Sequence, residues 1–194
     1  MSVAHNSLIL ASQSIYRKEL LQRLALTFDC QAPHINEARY PNEPVAEMVM
    51  RLGHEKANKI AQQHPDAWII ASDQSACFED KALGKPGYFD RALEQLIQMQ
   101  GKRVTFYTSL ILHTPEKRFE HLDQTHVYFR NLKESQLSHY LKLEEPYQCA
   151  GAFKSEGLGA CLFERIENND PTALIGLPLI QLAHWLTDLG RLLR

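Results

Sequence analysis

The feature that most constrains this chain is an apolar run that ends on a carboxylate: Trp68-Ile69-Ile70-Ala71-Ser72-Asp73-Gln74. A buried strand that delivers a lone Asp to its C-terminal end is how open α/β sheets place acid groups in a crevice. Further on comes Gly84-Lys85-Pro86. Pro86 restricts Lys85 to extended backbone, so the ammonium sits on a stiffened segment. A carboxylate and a positioned Lys are a minimum set for chemistry on a phosphorylated substrate. The same residues also read as a strand-end turn beside an exposed Lys, and other segments must decide.

The chain has 194 residues, 44% of them hydrophobic and 23% charged, ordinary values for a globular protein with one well-filled core. A net charge of −2 gives no general attraction to nucleic acid or to an anionic membrane. Any phosphate binding must come from a local basic cluster. The four cysteines, Cys30, Cys77, Cys149 and Cys161, form no C-x-x-C pair and read as reduced thiols packed as small hydrophobes. No apolar run is long enough to span a bilayer and the N-terminus lacks a signal-peptide pattern, so the expected compartment is the cytoplasm.

The expected elements alternate. Ser7 to Ala11 reads as a short buried strand, and Ser14 as the cap of a helix from Ile15 with Leu20, Leu21 and Leu24 on its apolar stripe and Arg17, Lys18 and Arg23 facing elsewhere. A strand near Phe28 to Ala32 precedes a Pro-punctuated loop to Pro44. The next helix, Val45 to Gln63, carries Val49, Leu52, Lys56 and Ile60 near one face, and Pro65 marks its end. After the Asp73 strand we expect a hairpin through Glu79-Asp80 and a helix from Asp90 to Met99. Two long antiparallel strands, Arg103 to His113 and Phe119 to Arg130, should turn at Thr114-Pro115-Glu116. A helix at Glu134 to Leu143, a Gly-rich segment, a strand at Ala160 to Ile166 and a helix after Pro178 complete the chain. The class is α/β with a mixed sheet, in one domain spanning residues 1–194.

Several residues are candidates for chemistry. Ser12-Gln13-Ser14 joins a strand end to a helix N-terminus, where free N–H groups and the helix dipole favour an anion. Basic residues in that first turn, Arg17 and Lys18, oppose the dipole, so either they serve something outside the helix or they are a solvated basic turn. Lys56 falls on an apolar stripe, where it either snorkels past the core or is aimed into a cleft. Glu37 lies in an irregular loop, where functional groups are common. The stretch Gly151 to Gly159 is either a plain loop or backbone kept slim for a ligand, with Phe153 as a stacking face and Glu156 as an acceptor. None of the nine histidines sits in a zinc-binding spacing, and the available carboxylates suit Mg²⁺ or Mn²⁺ rather than Zn²⁺.

Taken in order, these segments resemble the Maf family of nucleoside triphosphate pyrophosphatases. The matching motifs are Leu8 to Ser14 with Arg17-Lys18, Glu37, Lys56-Ala57, Ser72-Asp73-Gln74, Gly84-Lys85-Pro86 and Gly176-Leu177-Pro178-Leu179, covering about Ser7 to Leu189. Tyr16, Gln74 and Lys154-Ser155-Glu156-Gly157 are similar to the subgroup acting on 7-methyl-GTP. Ile15 and Lys18 depart from the family's usual Pro and Arg, and Lys18 loses bidentate phosphate geometry, which leaves its role open.

The resemblance implies an inosine triphosphatase-like elongated fold with two lobes around a central cleft, a divalent cation, cleavage between the α- and β-phosphates, and often a homodimer. It implies Asp73 as general base or metal ligand, Glu37 as second carboxylate for metal or water, and Lys85 as a catalytic cation. Ser12, Ser14, Arg17 and Lys56 would bind substrate, and Tyr16, Gln74 and Glu156 would set specificity. A 7-methylguanine carries positive charge, which suits an aromatic face and a carboxylate. Competing expectations are a pyrophosphatase for other nucleotides and a non-catalytic nucleotide-binding regulator of cell division.

Overall fold

A computed structural model describes residues 6–193. They divide into two compact units. The first comprises residues up to 74, 108–123 and 170 onward, and the second comprises 75–107 and 124–169.

In the first unit β1 (Leu8–Leu10) pairs in parallel with β2 (Asp29–Cys30) on one side and β3 (Trp68–Ala71) on the other. β3 pairs antiparallel with β6 (Arg103–His113), Ile70 standing opposite Leu112. Alternation along the strands feeds two cores, because successive side chains leave opposite faces. Leu8, Leu10, Ile70, Leu110 and Leu112 meet α1 (Ile15–Gln22) through Leu20 and Leu21, and α5 (Leu179–Asp188) through Leu182 and Leu186. Ile9, Ala11, Ile69, Ala71 and Ile111 meet Ala57 and Ile60 of α2 (Val45–Ala61). Ser14 caps α1 as expected, its Oγ accepting from Arg17 N at 3.4 Å. The start of α5 is capped from a distance: Ile180 N donates to Asp170 Oδ2 (2.7 Å) and Leu179 N to Thr172 Oγ1 (2.9 Å).

The second unit holds the hairpin of β4 (Gln74–Phe78, its first residue in the first unit) and β5 (Lys81–Leu83). Glu79 and Asp80 both take positive φ, +48° and +60°, the backbone that a two-residue hairpin turn demands. α3 (Phe89–Met99) packs on α4 (Glu134–Glu144). β7 (Arg118–Phe129) follows β6 after the expected turn and pairs with β8 (Phe163–Glu167). Both long strands run through the two units.

The mixed α/β class is as expected, with four corrections. β8 begins at Phe163 because residues 158–162 form a 3₁₀ turn. β2 is only Asp29–Cys30, both exposed, so the expected strand from Phe28 to Ala32 is mostly loop. Cys30 and Cys161 are exposed free thiols rather than packed ones. Arg17 does not face away from the protein; it folds back onto it, as described below. No helix among the described residues is long and apolar enough to cross a membrane.

Candidate active site

In the first unit two of the predicted carboxylates meet one buried ammonium. Lys56, on the apolar face of α2, is 5% exposed. Its Nζ donates to Asp73 Oδ1 at 2.5 Å and lies 2.8 Å from Glu37 Oε1. Of the two outcomes open for a Lys on that stripe, it turns inward to two carboxylates. Asp73 is buried just beyond β3, and Glu37 reaches in from the 31–44 loop with most of its side chain exposed.

Asp73 is fixed through its backbone. Its N–H donates to Ser109 Oγ (2.9 Å), and its carbonyl accepts from Ser109 N (2.9 Å). Helix α2 can come this close only because residue 53 is Gly: a Cβ there would stand 2.7 Å from Ser109 Oγ. Ser109 and Gly53 were not marked out in the sequence, since a small residue on a strand and a glycine in a helix carry no pattern of their own.

Arg17 is held from the other side. Its Nε donates to Gly176 O at 2.9 Å, and the same carbonyl accepts from Ser72 Oγ at 2.8 Å. Burial pulls the Arg17 guanidinium below its ordinary value, while the carboxylates of Asp73 and Glu37 pull it the other way. It stays charged at neutral pH. Two cations therefore share a neighbourhood with two anions. Ser72 and Gly176, which the sequence shows only as members of motifs without a role of their own, are thus further residues of this cluster.

The remaining first-unit candidates are occupied by local structure. Ser12 Oγ accepts from Ser14 N (3.1 Å), and Ser14 Oγ caps α1, so both hydroxyls shape the turn. The Gln74 amide nitrogen donates to Ala173 O (2.8 Å) and Leu174 O (2.9 Å) and lies 3.1 Å from Thr108 Oγ1. That amide fixes the same loop that orients Arg17. Tyr16 is 39% exposed, and Lys18 is exposed.

Lys85 and Glu156 belong to the second unit. Lys85 is exposed between two anchors: Gly84 O accepts from Gln95 Nε2 (3.1 Å), and Gly87 N donates to Tyr147 O (2.9 Å). Glu156 is exposed and accepts from Ser155 Oγ at 2.6 Å. Both act electrostatically on the Cys149 thiol, which burial raises. The structure thus brings them to one neighbourhood within that unit.

Phe153 is not a ligand-stacking face. It is buried edge-on against Phe106, Phe129 and Phe163, with centroids 4.8–5.7 Å away, geometry that aromatic quadrupoles favour. Of the glycines after it, Gly159 is explained by packing against backbone. A Cβ at Gly159 would overlap the Lys154 carbonyl oxygen, and one at Gly157 would stand 2.8 Å from the Glu144 carboxylate.

Two carboxylates, a buried Lys and a half-buried Arg thus form one charge cluster, and the family comparison covers the segments that supply them. The family model for Maf-like protein matches residues 7–189, and the chain belongs to that family. A protein named 7-methyl-GTP pyrophosphatase from Hydrogenovibrio crunogenus is 51% identical over 181 residues, covering 92% of this chain and 90% of its own. One of the same name from Xanthomonas axonopodis pv. citri is 47% identical over 183 residues, covering 94% and 96%. Among solved structures, a HAM1 protein from Coxiella burnetii aligns at a TM-score of 0.49 and 12% identity over 95% of this chain and 100% of that one.

Proposed function

We propose that this chain is a hydrolase that cleaves 7-methyl-GTP to 7-methyl-GMP and pyrophosphate. The observation that carries the reading is Lys56 Nζ held between Asp73 and Glu37, with Arg17 close enough for both carboxylates to act on it. Support for the substrate comes from relatives of that name at 44–51% identity over most of the chain.

Asp73 takes the proton from a water as its oxygen attacks the α-phosphorus. The bond from that phosphorus to the α–β bridging oxygen breaks, and pyrophosphate leaves. Arg17 and Lys56 oppose the charge that builds on the departing oxygens, in a site where burial makes each cation count for more than it would in water. The 173–176 loop and Ser72 keep the guanidinium aimed while this happens.

The donor set fits a hard divalent cation. Asp73 and Glu37 offer oxygen ligands either side of one ammonium, and Mg²⁺ or Mn²⁺ is commonly held by one or two carboxylates with phosphate and water oxygens completing the shell. Among the described residues no group of three or more His, Cys, Asp or Glu is placed to hold a metal ion, so the nucleotide would have to supply the rest. When bound, the cation would offset phosphate charge and make water more acidic. Lys85 is assigned to the triphosphate by family likeness, and Tyr16, Gln74 and Glu156 to the base.

The test is pyrophosphate release from 7-methyl-GTP, GTP, dTTP, UTP and ITP with Mg²⁺ or Mn²⁺. The highest kcat/KM is expected for 7-methyl-GTP. Equal or better turnover of GTP overturns the substrate assignment, and nucleotide binding without turnover of any member overturns the reaction.

A further inference from the structure

Glu37 sits in a long connection, residues 31–44, that contains no helix or strand. Ordered connections of that length without secondary structure need something to hold them. Here the holder is one side chain on α2, five residues before Lys56. Arg51 Nε and Nη2 grip both oxygens of Glu43 (2.5 and 2.8 Å). Nη2 also donates to Ala38 O (3.1 Å), and Nη1 donates to Glu55 Oε1 (3.0 Å). The guanidinium stacks 4.0 Å from the centroid of the Tyr40 ring.

The loop closes on this hub through its own bonds. Tyr40 N donates to Glu43 Oε2 (3.0 Å), Arg39 Nε to Glu43 O (2.7 Å), and Ala38 N to Asn36 Oδ1 (3.0 Å). Ala38, the residue after Glu37, therefore has both backbone polar groups fixed, one of them by Arg51. Burial and pairing are consistent: the Arg51 side chain is 18% exposed and that of Glu43 9%. A forked, planar guanidinium suits this task, and a Lys in its place could neither grip Glu43 with two bonds nor reach Ala38 O and Glu55 at once.

We propose that Arg51 is a positioning residue for the hydrolysis: it clamps the 36–43 loop to α2 so that the Glu37 carboxylate meets Lys56 beside Asp73. The proposal rests on the reading of Glu37 given above. Arg51 touches neither Lys56 nor Asp73 itself. Its contribution runs through the loop, as outer partners do when they orient a ligating carboxylate, at a cost of roughly 10- to 100-fold when removed.

The experiment is a double-mutant cycle on the full chain with Arg51→Met and Glu37→Gln, reading kcat/KM for 7-methyl-GTP, joined to amide hydrogen exchange of the 36–43 segment. Each single variant is expected to lose about tenfold or more in kcat/KM, and the double variant no more than the worse single one, because neighbours acting through one contact do not add. Arg51→Lys should not rescue. Exchange at 36–43 should accelerate in Arg51→Met while α5 amides keep their protection. Should Arg51→Met fail to fold, Glu43→Gln removes the partner that Arg51 grips and is expected to give the same signature more weakly.

Additive losses, or unchanged exchange at 36–43, overturn the proposal. So does an Arg51→Met enzyme with wild-type kcat/KM. A wild-type chain that turns over no nucleotide sinks the hydrolase reading, and the exchange arm then still decides whether Arg51 holds the loop. A Glu37→Gln variant as active as wild type removes Glu37 from the reaction and the proposal with it.

Discussion

Two segments of this chain look equally suggestive as letters, and the structure treats them in opposite ways. Lys56 lies in a helix on an apolar stripe, among residues that ask to be buried. The 151–159 stretch has three glycines, a Phe, a Lys and a Glu, the usual ingredients of a ligand-hugging loop. Lys56 proves to be the buried cation at the centre of a charge cluster. The glycine-rich stretch owes its glycine at 159 to the Lys154 backbone, and its Phe to an aromatic core. A charge where burial is expected is informative because desolvation is costly and must be compensated. A glycine is weaker evidence, because protein can crowd it as closely as a ligand can.

The sharpest way to break that contrast is at Asp73. Asp73→Asn keeps size and an acceptor for Lys56 but removes the proton acceptor, so pyrophosphate release should fall ~10²-fold or more with the circular dichroism spectrum unchanged. Were Lys56–Asp73 only a structural pair, the loss would appear in the urea midpoint and activity per folded molecule would persist.

Next in size is Gly159→Ala. The added methyl meets backbone, which cannot swing aside, and overpacking of this kind costs roughly 1–3 kcal/mol. Urea unfolding should record it. A variant as stable as wild type, with altered nucleotide binding instead, would return the segment to the ligand side of the comparison.

Glu156→Gln is smaller. On the proposal that Glu156 meets the cationic base, a neutral side chain there should lower the kcat/KM ratio of 7-methyl-GTP over GTP by about tenfold, while turnover of GTP is spared. An unchanged ratio would mean that the methyl charge is recognised elsewhere.

The smallest effect is one of pH. Arg51 holds the Glu43 carboxyl at about 2, below its ordinary 4.5. A folded value below the unfolded one stabilises fully above pH 4.5 and is lost as pH falls through about 2. The urea midpoint should therefore decline on acidification from pH 5 toward 3 less steeply in Glu43→Gln than in wild type.

Much of the architecture was legible in the chain. The period of α2, the Ser14 cap, the Glu79-Asp80 turn and the length of β6 and β7 are local properties, set by spacing and by backbone preference. The candidate site was half legible. Asp73, Lys56, Glu37 and Arg17 stood out because each is a charge in a telling place. Ser109 and Gly53 did not, and Ser72 and Gly176 showed only as motif members without a role, because the importance of all four is relational. A hydroxyl that fixes an Asp backbone 36 residues away, or a carbonyl that aims an Arg across 159, has no local signature. Arg51 was hidden for the same reason, as one more base on an amphipathic helix.

The two long strands carry a consequence for how this chain can change. β6 supplies Val104 and Phe106 to one compact unit and Leu110, Ile111 and Leu112 to the other. A single inserted or deleted residue within it would send every following side chain to the opposite face of the sheet, exchanging the residues that feed the two cores. Length variation should therefore be costly within 103–113 and 118–127 and best tolerated in connections such as the exposed Pro115-Glu116 corner. Each unit is assembled from separated stretches of chain, three for the first and two for the second. Neither unit is therefore a contiguous cassette that could be cut from the chain or grafted into it as one piece.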